Sequence, residues 1–130
     1  GCFTINHIHE DFVKRAHFTS AKFNKNESEF NRCKLTEIFL KNFIAPFVSD
    51  SNIKIGLKLV ETVNMKSNKC VILIGLIEHI LISEKIIRNS GHINLEKLNT
   101  VGVNGLDTYY KLIRIMKLPY ARFSELEDYV

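Results

Sequence analysis

His17, Thr19, Ser20 and Ala21 form the most chemically suggestive cluster in the sequence. Two hydroxyls among small residues, placed just after a helix, can offer O–H and main-chain N–H groups to the edge of a planar ring or to a phosphate. Small side chains also let such a ligand approach the backbone. Taken alone, the same residues make an ordinary polar helix end, with His17 favourable beside the last carbonyls. On residue types alone, that plainer reading is preferred.

Other reactive residue types are scattered. His7 and His9 are two apart and share a face if they lie on a strand, but no third residue stands at a spacing that would complete a metal site. His79, beside Glu78 in an apolar run, reads as a core or interface histidine with a hydrogen-bond partner. A cysteine nucleophile needs a base within reach, and none accompanies Cys2, Cys33 or Cys70. These three cysteines fit no CxxC or Cys/His pattern and read as free thiols in a reducing cytoplasm. No phosphate-binding GxxxxGK[ST] loop, GxGxxG turn or GxSxG elbow occurs. No catalytic residue and no metal ligand is assigned. Near the C-terminus, Tyr109, Tyr110, Lys111, Arg114, Lys117, Tyr120 and Arg122 mix aromatics with cations. Such a mixture can stack bases or seal a protein interface. The modest charge favours the interface and argues against nucleic acid.

The elements that would position these residues follow from periodicity. Residues 3–8 alternate as a strand, and residues 10–18 follow as a helix, with Glu10 and Asp11 in its first turn. Residues 28–33 predict one helical turn. Residues 36–43 look irregular and Phe-rich as far as Pro46. The clearest element is a long hairpin. Its first strand spans residues 53–65, with a break in alternation at Leu59-Val60 that predicts a bulge. After a turn at 66–69, the second strand over 71–82 is so rich in β-branched residues that burial on both faces is expected. Gly56 and Gly75 on these strands predict close approaches or bends. Asn94 is expected to cap a short turn through Leu98. Gly102 and Gly105 punctuate a loop, residues 106–116 read as a helix, and residues 118–130 read as a surface tail.

With 130 residues, 45% hydrophobic and 25% charged, the chain fits one domain with a real core. The net charge of +4 is spread among interleaved acids and bases, which describes a solvated surface. No signal-peptide pattern is present. The most apolar stretch, 70–82, is interrupted by Glu78 and His79 and is too short for a membrane helix. No membrane contact is expected, and a cytoplasmic location follows.

Several segments in series resemble the flavin reductase-like family, whose members have an FMN-binding split barrel. They are residues 3–7, residues 10–17, Thr19-Ser20-Ala21-Lys22, Ser28-Glu29-Phe30 and Ala45-Pro46-Phe47-Val48. The series continues through residues 53–61, 74–80, 105–110 and Tyr120-Ala121-Arg122. No single motif is diagnostic; their order and spacing carry the resemblance, which covers nearly the whole chain.

The resemblance implies a mainly β fold with helices, a Greek-key FMN-binding split barrel. It implies a homodimer, with FMN near the subunit interface and NADH or NADPH as electron donor. Electrons would pass through the flavin to a small-molecule or protein acceptor. By position in the motifs, Thr19, Ser20 and Ala21 would face the flavin ring or ribityl chain, supported by Asn6 and His17. Tyr110 and Arg122 would reach a cofactor across the dimer. Family members carry further strands before the position of Gly1, so residues 1–130 are expected to be a single but incomplete domain lacking N-terminal strands. The enzyme implied is the parent protein, an FMN-dependent NAD(P)H oxidoreductase, and the activity of these residues alone is left open. Two other readings also stay open: a non-catalytic flavin-binding module of the same fold, and a basic interaction module.

Overall fold

The computed structural model describes residues 1–128. Strands dominate. Strand β1 (Cys2–Asn6) leads through a tight turn at Glu10–Phe12 into helix α1 (Val13–Phe18), and helix α2 (Glu29–Arg32) follows. Strands β2 (Glu37–Leu40), β3 (Phe43–Val48), β4 (Ile53–Asn64) and β5 (Val71–Ile82) come next. Strands β6 (Val101–Asn104) and β7 (Thr108–Lys111) close the fold. All pairing between these strands is antiparallel: β1-β4-β5 in one sheet, β2-β3 and β6-β7 in two hairpins.

Local chemistry explains the helix ends. Ser28 caps α2, its hydroxyl accepting from the Asn31 N–H at 3.5 Å. The helix ends at Lys34, whose φ of 54° is the left-handed conformation that terminates helices. At the end of α1 the Thr19 and Ser20 hydroxyls donate to the Ala16 and His17 carbonyls, each at 2.7 Å.

The β4–β5 hairpin carries two irregularities. Leu59 pairs with Gly75 and Glu61 with Ile74, so Val60 is an extra residue. Leu57 pairs with Ile77 and Gly56 with His79, so Glu78 is another. The first is the bulge that the broken alternation predicts. Gly56 is required by packing: a Cβ there would lie 2.9 Å from Phe47 Cζ and 3.0 Å from Phe43 Cζ. At Gly75 a Cβ would lie 2.8 Å from Phe3 Cζ.

The core sits where the sheet's inner face meets β3, around Phe43, Phe47, Ile53 and Leu57, with Phe47 fully buried. His79 is half-buried and packs edge-on against Phe43, ring centroids 5.1 Å apart. Around the rim, Ser51 is buried and its hydroxyl oxygen lies 2.7 Å from both the His7 and the Ile53 carbonyl oxygens, to either of which its one hydrogen can be donated. His9 is also buried; its Nε2 lies 2.7 Å from the Asp50 carbonyl, so that nitrogen carries the proton and donates. Its Nδ1 faces Asp11 Oδ2 at 3.3 Å without hydrogen-bond alignment. His9 is thus a structural residue of the β1–α1 turn, rather than one of a pair sharing a strand face with His7. Arg15 ties α1 to this rim, 2.8 Å from the Asp50 carboxylate and 2.7 Å from the Lys34 carbonyl.

Four sequence expectations are corrected. Residues 36–43, read as irregular as far as Pro46, belong to the β2–β3 hairpin; Pro46 is tolerated because its strand lies at a sheet edge. Residues 106–116, read as a helix, form a turn at Gly105, φ 66°, then β7 and extended chain. The loop around Gly102 is strand β6. Strand β5, expected to be buried on both faces, exposes every aliphatic side chain from Val71 to Ile80 by 45–59%. Its composition fits burial, but among the described residues no element covers it. The tail is exposed from Leu118 to Ser124, while Tyr129 and Val130 lie outside the described residues.

Candidate functional site

The side chains of β1 alternate, placing Thr4 and Asn6 on one face. Asn6 reaches across to β3: its Oδ1 accepts the Val48 N–H at 3.0 Å. Only an oxygen can face that N–H, which orients the amide. Asn6 Nδ2 then donates to Thr4 Oγ1 at 3.0 Å, and Thr4 Oγ1 donates to the Pro46 carbonyl at 2.7 Å. The relay pins β1 to β3 along one wall of an open cavity of about 550 Å³. Thr4, Asn6, Ala45, Pro46 and Val48 line this wall, Thr19 comes from the end of α1, and Glu29, Phe30 and Leu35 come from α2 and its sequel.

The lining is mostly apolar with a few convergent polar groups, and the volume is in the range of small-molecule sites. The polarity of those groups is specific. The Thr4 and Thr19 hydroxyl hydrogens are committed to Pro46 and Ala16, so both hydroxyls offer a ligand only lone pairs. A flavin ring and polyol carry N–H and O–H donors to match. Among the described residues, the one charged side chain lining this cavity is Glu29, an acid. The described lining therefore fits the ring and ribityl portions of FMN, and among the described residues it places no cation for the phosphate.

A second groove of about 510 Å³ lies on the other side of α1, lined by Val13, Lys14, His17, Phe18, Asp107 and Tyr109. His17 Nδ1 and the Tyr109 hydroxyl are 3.2 Å apart, with their rings nearly perpendicular.

The predicted site residues are distributed as follows. Asn6 and Thr19 meet on the first cavity, and His17 lies on the second groove. Ser20 and Ala21 stand exposed just past the helix, their N–H groups donating to the His17 and Phe18 carbonyls at 3.1 Å. Tyr110 is exposed on the face of β7 opposite Tyr109, and Arg122 is exposed in the C-terminal segment. Sequence reasoning missed Thr4, although strand alternation from Asn6 points to it. Tyr109 was singled out only as part of the aromatic and cationic C-terminal stretch, and the helical reading of residues 106–116 concealed its contact with His17.

Fold and cavity together define a split-barrel protein with a ligand site between a sheet edge and a helix end. No family model and no curated protein matches the chain. Among solved structures, a protein from Shewanella frigidimarina NCIMB 400, assigned as a flavin reductase with split barrel domain, superimposes with a TM-score of 0.90 at 39% identity. The match covers 93% of this chain and 61% of that protein. Nitrilotriacetate monooxygenase component B from Bacillus cereus aligns with a TM-score of 0.77 at 26% identity, over 88% of this chain and 58% of its own. Flavoredoxin of Desulfovibrio vulgaris (Miyazaki F), at 22% identity and a TM-score of 0.73 over 91% of this chain and 62% of its own, shares the fold. These likenesses support a flavin reductase-like family for the chain, with the split-barrel fold in common. It spans about three fifths of the length of these three proteins.

Proposed function

We propose that this chain forms the flavin-holding part of an FMN-dependent oxidoreductase. In this reading, electrons pass from NADH or NADPH through the bound flavin to a small-molecule or protein acceptor. The observation that carries it is the acceptor-lined cavity between β1, β3 and the end of α1, in a chain 39% identical to a protein assigned as a flavin reductase.

Flavin, when bound, supplies the redox chemistry itself, accepting and releasing electrons. The residues of this chain would bind and orient it. Thr4 and Thr19 would accept from its N–H and O–H donors, Phe30, Leu35 and Pro46 would cover its apolar faces, and the Asn6 relay would keep the wall between β1 and β3 in place. Such a site needs no acid–base side chain, in keeping with the scattered titratable residues of the sequence.

The test is anaerobic. FMN-loaded protein is mixed with NADH or NADPH, and bleaching of the flavin absorbance is followed. Bleaching faster than that of free FMN, slowed by Thr19→Val, supports an oxidoreductase. Saturable FMN binding without accelerated bleaching would reduce the reading to a flavin-binding module.

A further inference from the structure

Asn104 ends β6, and Gly105 opens the turn into β7. No other asparagine of the sequence is followed by glycine. The side-chain amide of an asparagine is open to attack by the main-chain nitrogen of the next residue. Glycine at that next position leaves the nitrogen unshielded and lets the backbone bend toward a ring. The structure meets two further conditions. Both residues are exposed, and Gly105 has a φ of 66°. Among the described residues, neither the Asn104 side-chain amide nor the Gly105 N–H has a hydrogen-bond partner. Elsewhere Asn6 is tied to Val48 and Thr4, Asn24 to Glu27, and Asn52 to the Leu98 carbonyl.

We infer that Asn104-Gly105 is a site of self-modification, whose conversion to isoaspartate loosens the β6–β7 hairpin and releases Tyr109 from His17. The Gly105 nitrogen gives its proton to solvent base and attacks Asn104 Cγ. A bond forms between them, the bond from Cγ to Nδ2 breaks, and Nδ2 takes up a proton and leaves as ammonia. Water then opens the cyclic imide. Cleavage on the Cγ side gives aspartate, and cleavage on the main-chain side gives isoaspartate. No oxidant or reductant is needed. The hairpin is a two-stranded sheet of its own, in which Asn104 faces Thr108 in the pair next to the turn. Isoaspartate carries one methylene more in its main chain and cannot keep that register. Its carboxylate also joins Asp107 in the same short turn, where like charges add repulsion. A two-stranded hairpin has little stability in reserve. Tyr109 follows directly after Thr108, and its hydroxyl lies 3.2 Å from His17 Nδ1. Asp107 and Tyr109 both line the groove beside α1, so the modification reshapes that groove.

The test keeps the whole chain in warm, mildly alkaline buffer and samples it over time. Peptide mapping by mass spectrometry locates each amide-to-acid conversion, and an isoaspartyl methyltransferase scores the isoaspartate. The inference expects conversion at Asn104 before any other asparagine. It expects the protected amides of β7 to exchange about tenfold faster in the isoaspartyl chain, the loss of about one hydrogen bond. Asn104→Gln should keep both its mass and its protection under the same incubation. Asn104→Asp adds the charge without lengthening the main chain and should keep most of the protection. Conversion that begins at another asparagine such as Asn89, or isoaspartyl chains with unchanged exchange in β7, would overturn the inference. So would Asn104→Asp exchanging as fast as the isoaspartyl chain.

Discussion

Asn6→Leu removes the side chain that joins β1 to β3. In the structure Asn6 makes two hydrogen bonds, accepting from the Val48 N–H and donating to Thr4 Oγ1, both at 3.0 Å. Leucine has similar bulk and no polar atom, so the Val48 N–H is left facing an apolar group. A stranded donor costs about 1–3 kcal/mol, and an ordinary lost bond about 1 kcal/mol. Both bonds are only partly buried, so water relieves some of this, and about 2 kcal/mol is the expected net loss. For a domain of this size that lowers the melting temperature by about 8 °C. In urea it moves the midpoint by about 1 M with unchanged slope. Asn6→Asp is the discriminating control. Its carboxylate still accepts from Val48 N–H and forfeits only the bond to Thr4, so it should lose less than half as much at neutral pH. The assay is thermal and urea unfolding by circular dichroism. Asn6→Leu melting within 2 °C of the unsubstituted chain, or Asn6→Asp melting as low as Asn6→Leu, would refute the bridge.

Gly56→Ala is expected to cost about 2 kcal/mol through overpacking, because the new methyl meets Phe43 and Phe47, which are buried and cannot yield. Gly75→Ala should cost a similar amount, because the half-buried Phe3 ring can swing outward but the Cβ of buried Leu57, 3.0 Å from the new methyl, cannot; the two urea midpoints check both values. Glu27 Oε2 accepts from the Asn24 backbone N–H and side-chain Nδ2. These bonds, more than the nearby Arg32, hold its carboxyl below the usual range. A depressed carboxyl contributes stability that is present above its unfolded pKa and lost as pH falls through its folded one. Glu27→Gln should therefore melt below the unsubstituted chain at pH 7, and the gap should close below about pH 4. Tyr109→Phe breaks the contact with His17 Nδ1 in an open groove. It should change stability by no more than about 1 kcal/mol, read as a shift of a few degrees in the melting temperature.

The sequence revealed those parts whose signals are local. The strand-to-helix passage at residues 3–18, the Ser28 turn, the long hairpin and its Val60 bulge all follow from periodicity, capping residues and turn chemistry. The glycine positions do too, and the structure supplies the reason: phenylalanine rings from β1 and β3 occupy the space of a Cβ. What escaped depends on partners distant in sequence. Strand β3 carries Pro46 and no alternating pattern, and it is a strand because β2 pairs with it and because Thr4 and Asn6 bond to its backbone from some forty residues away. The helical reading of residues 106–116 failed because spaced apolar residues also suit a hairpin strand followed by an extended arm, and Gly105 with Tyr109-Tyr110 tips the balance toward strand. Thr19 was legible as a hydroxyl at a helix end, and Asn6 entered through the family resemblance. That they share a cavity while His17, two residues from Thr19, faces another groove depends on where the end of α1 packs.

The central claim is that the cavity between β1, β3 and α1 holds flavin through acceptor groups and without a cation. Parallel fluorescence titrations with FMN and riboflavin test it most directly. The account predicts saturable quenching by both, with dissociation constants within about tenfold of each other, because the phosphate meets no cation in the lining. It also predicts that both affinities fall together, by about tenfold, in Thr19→Val, the loss expected from one hydrogen bond. Absence of quenching by either ligand, or a Thr19→Val chain that binds both as before, would contradict it.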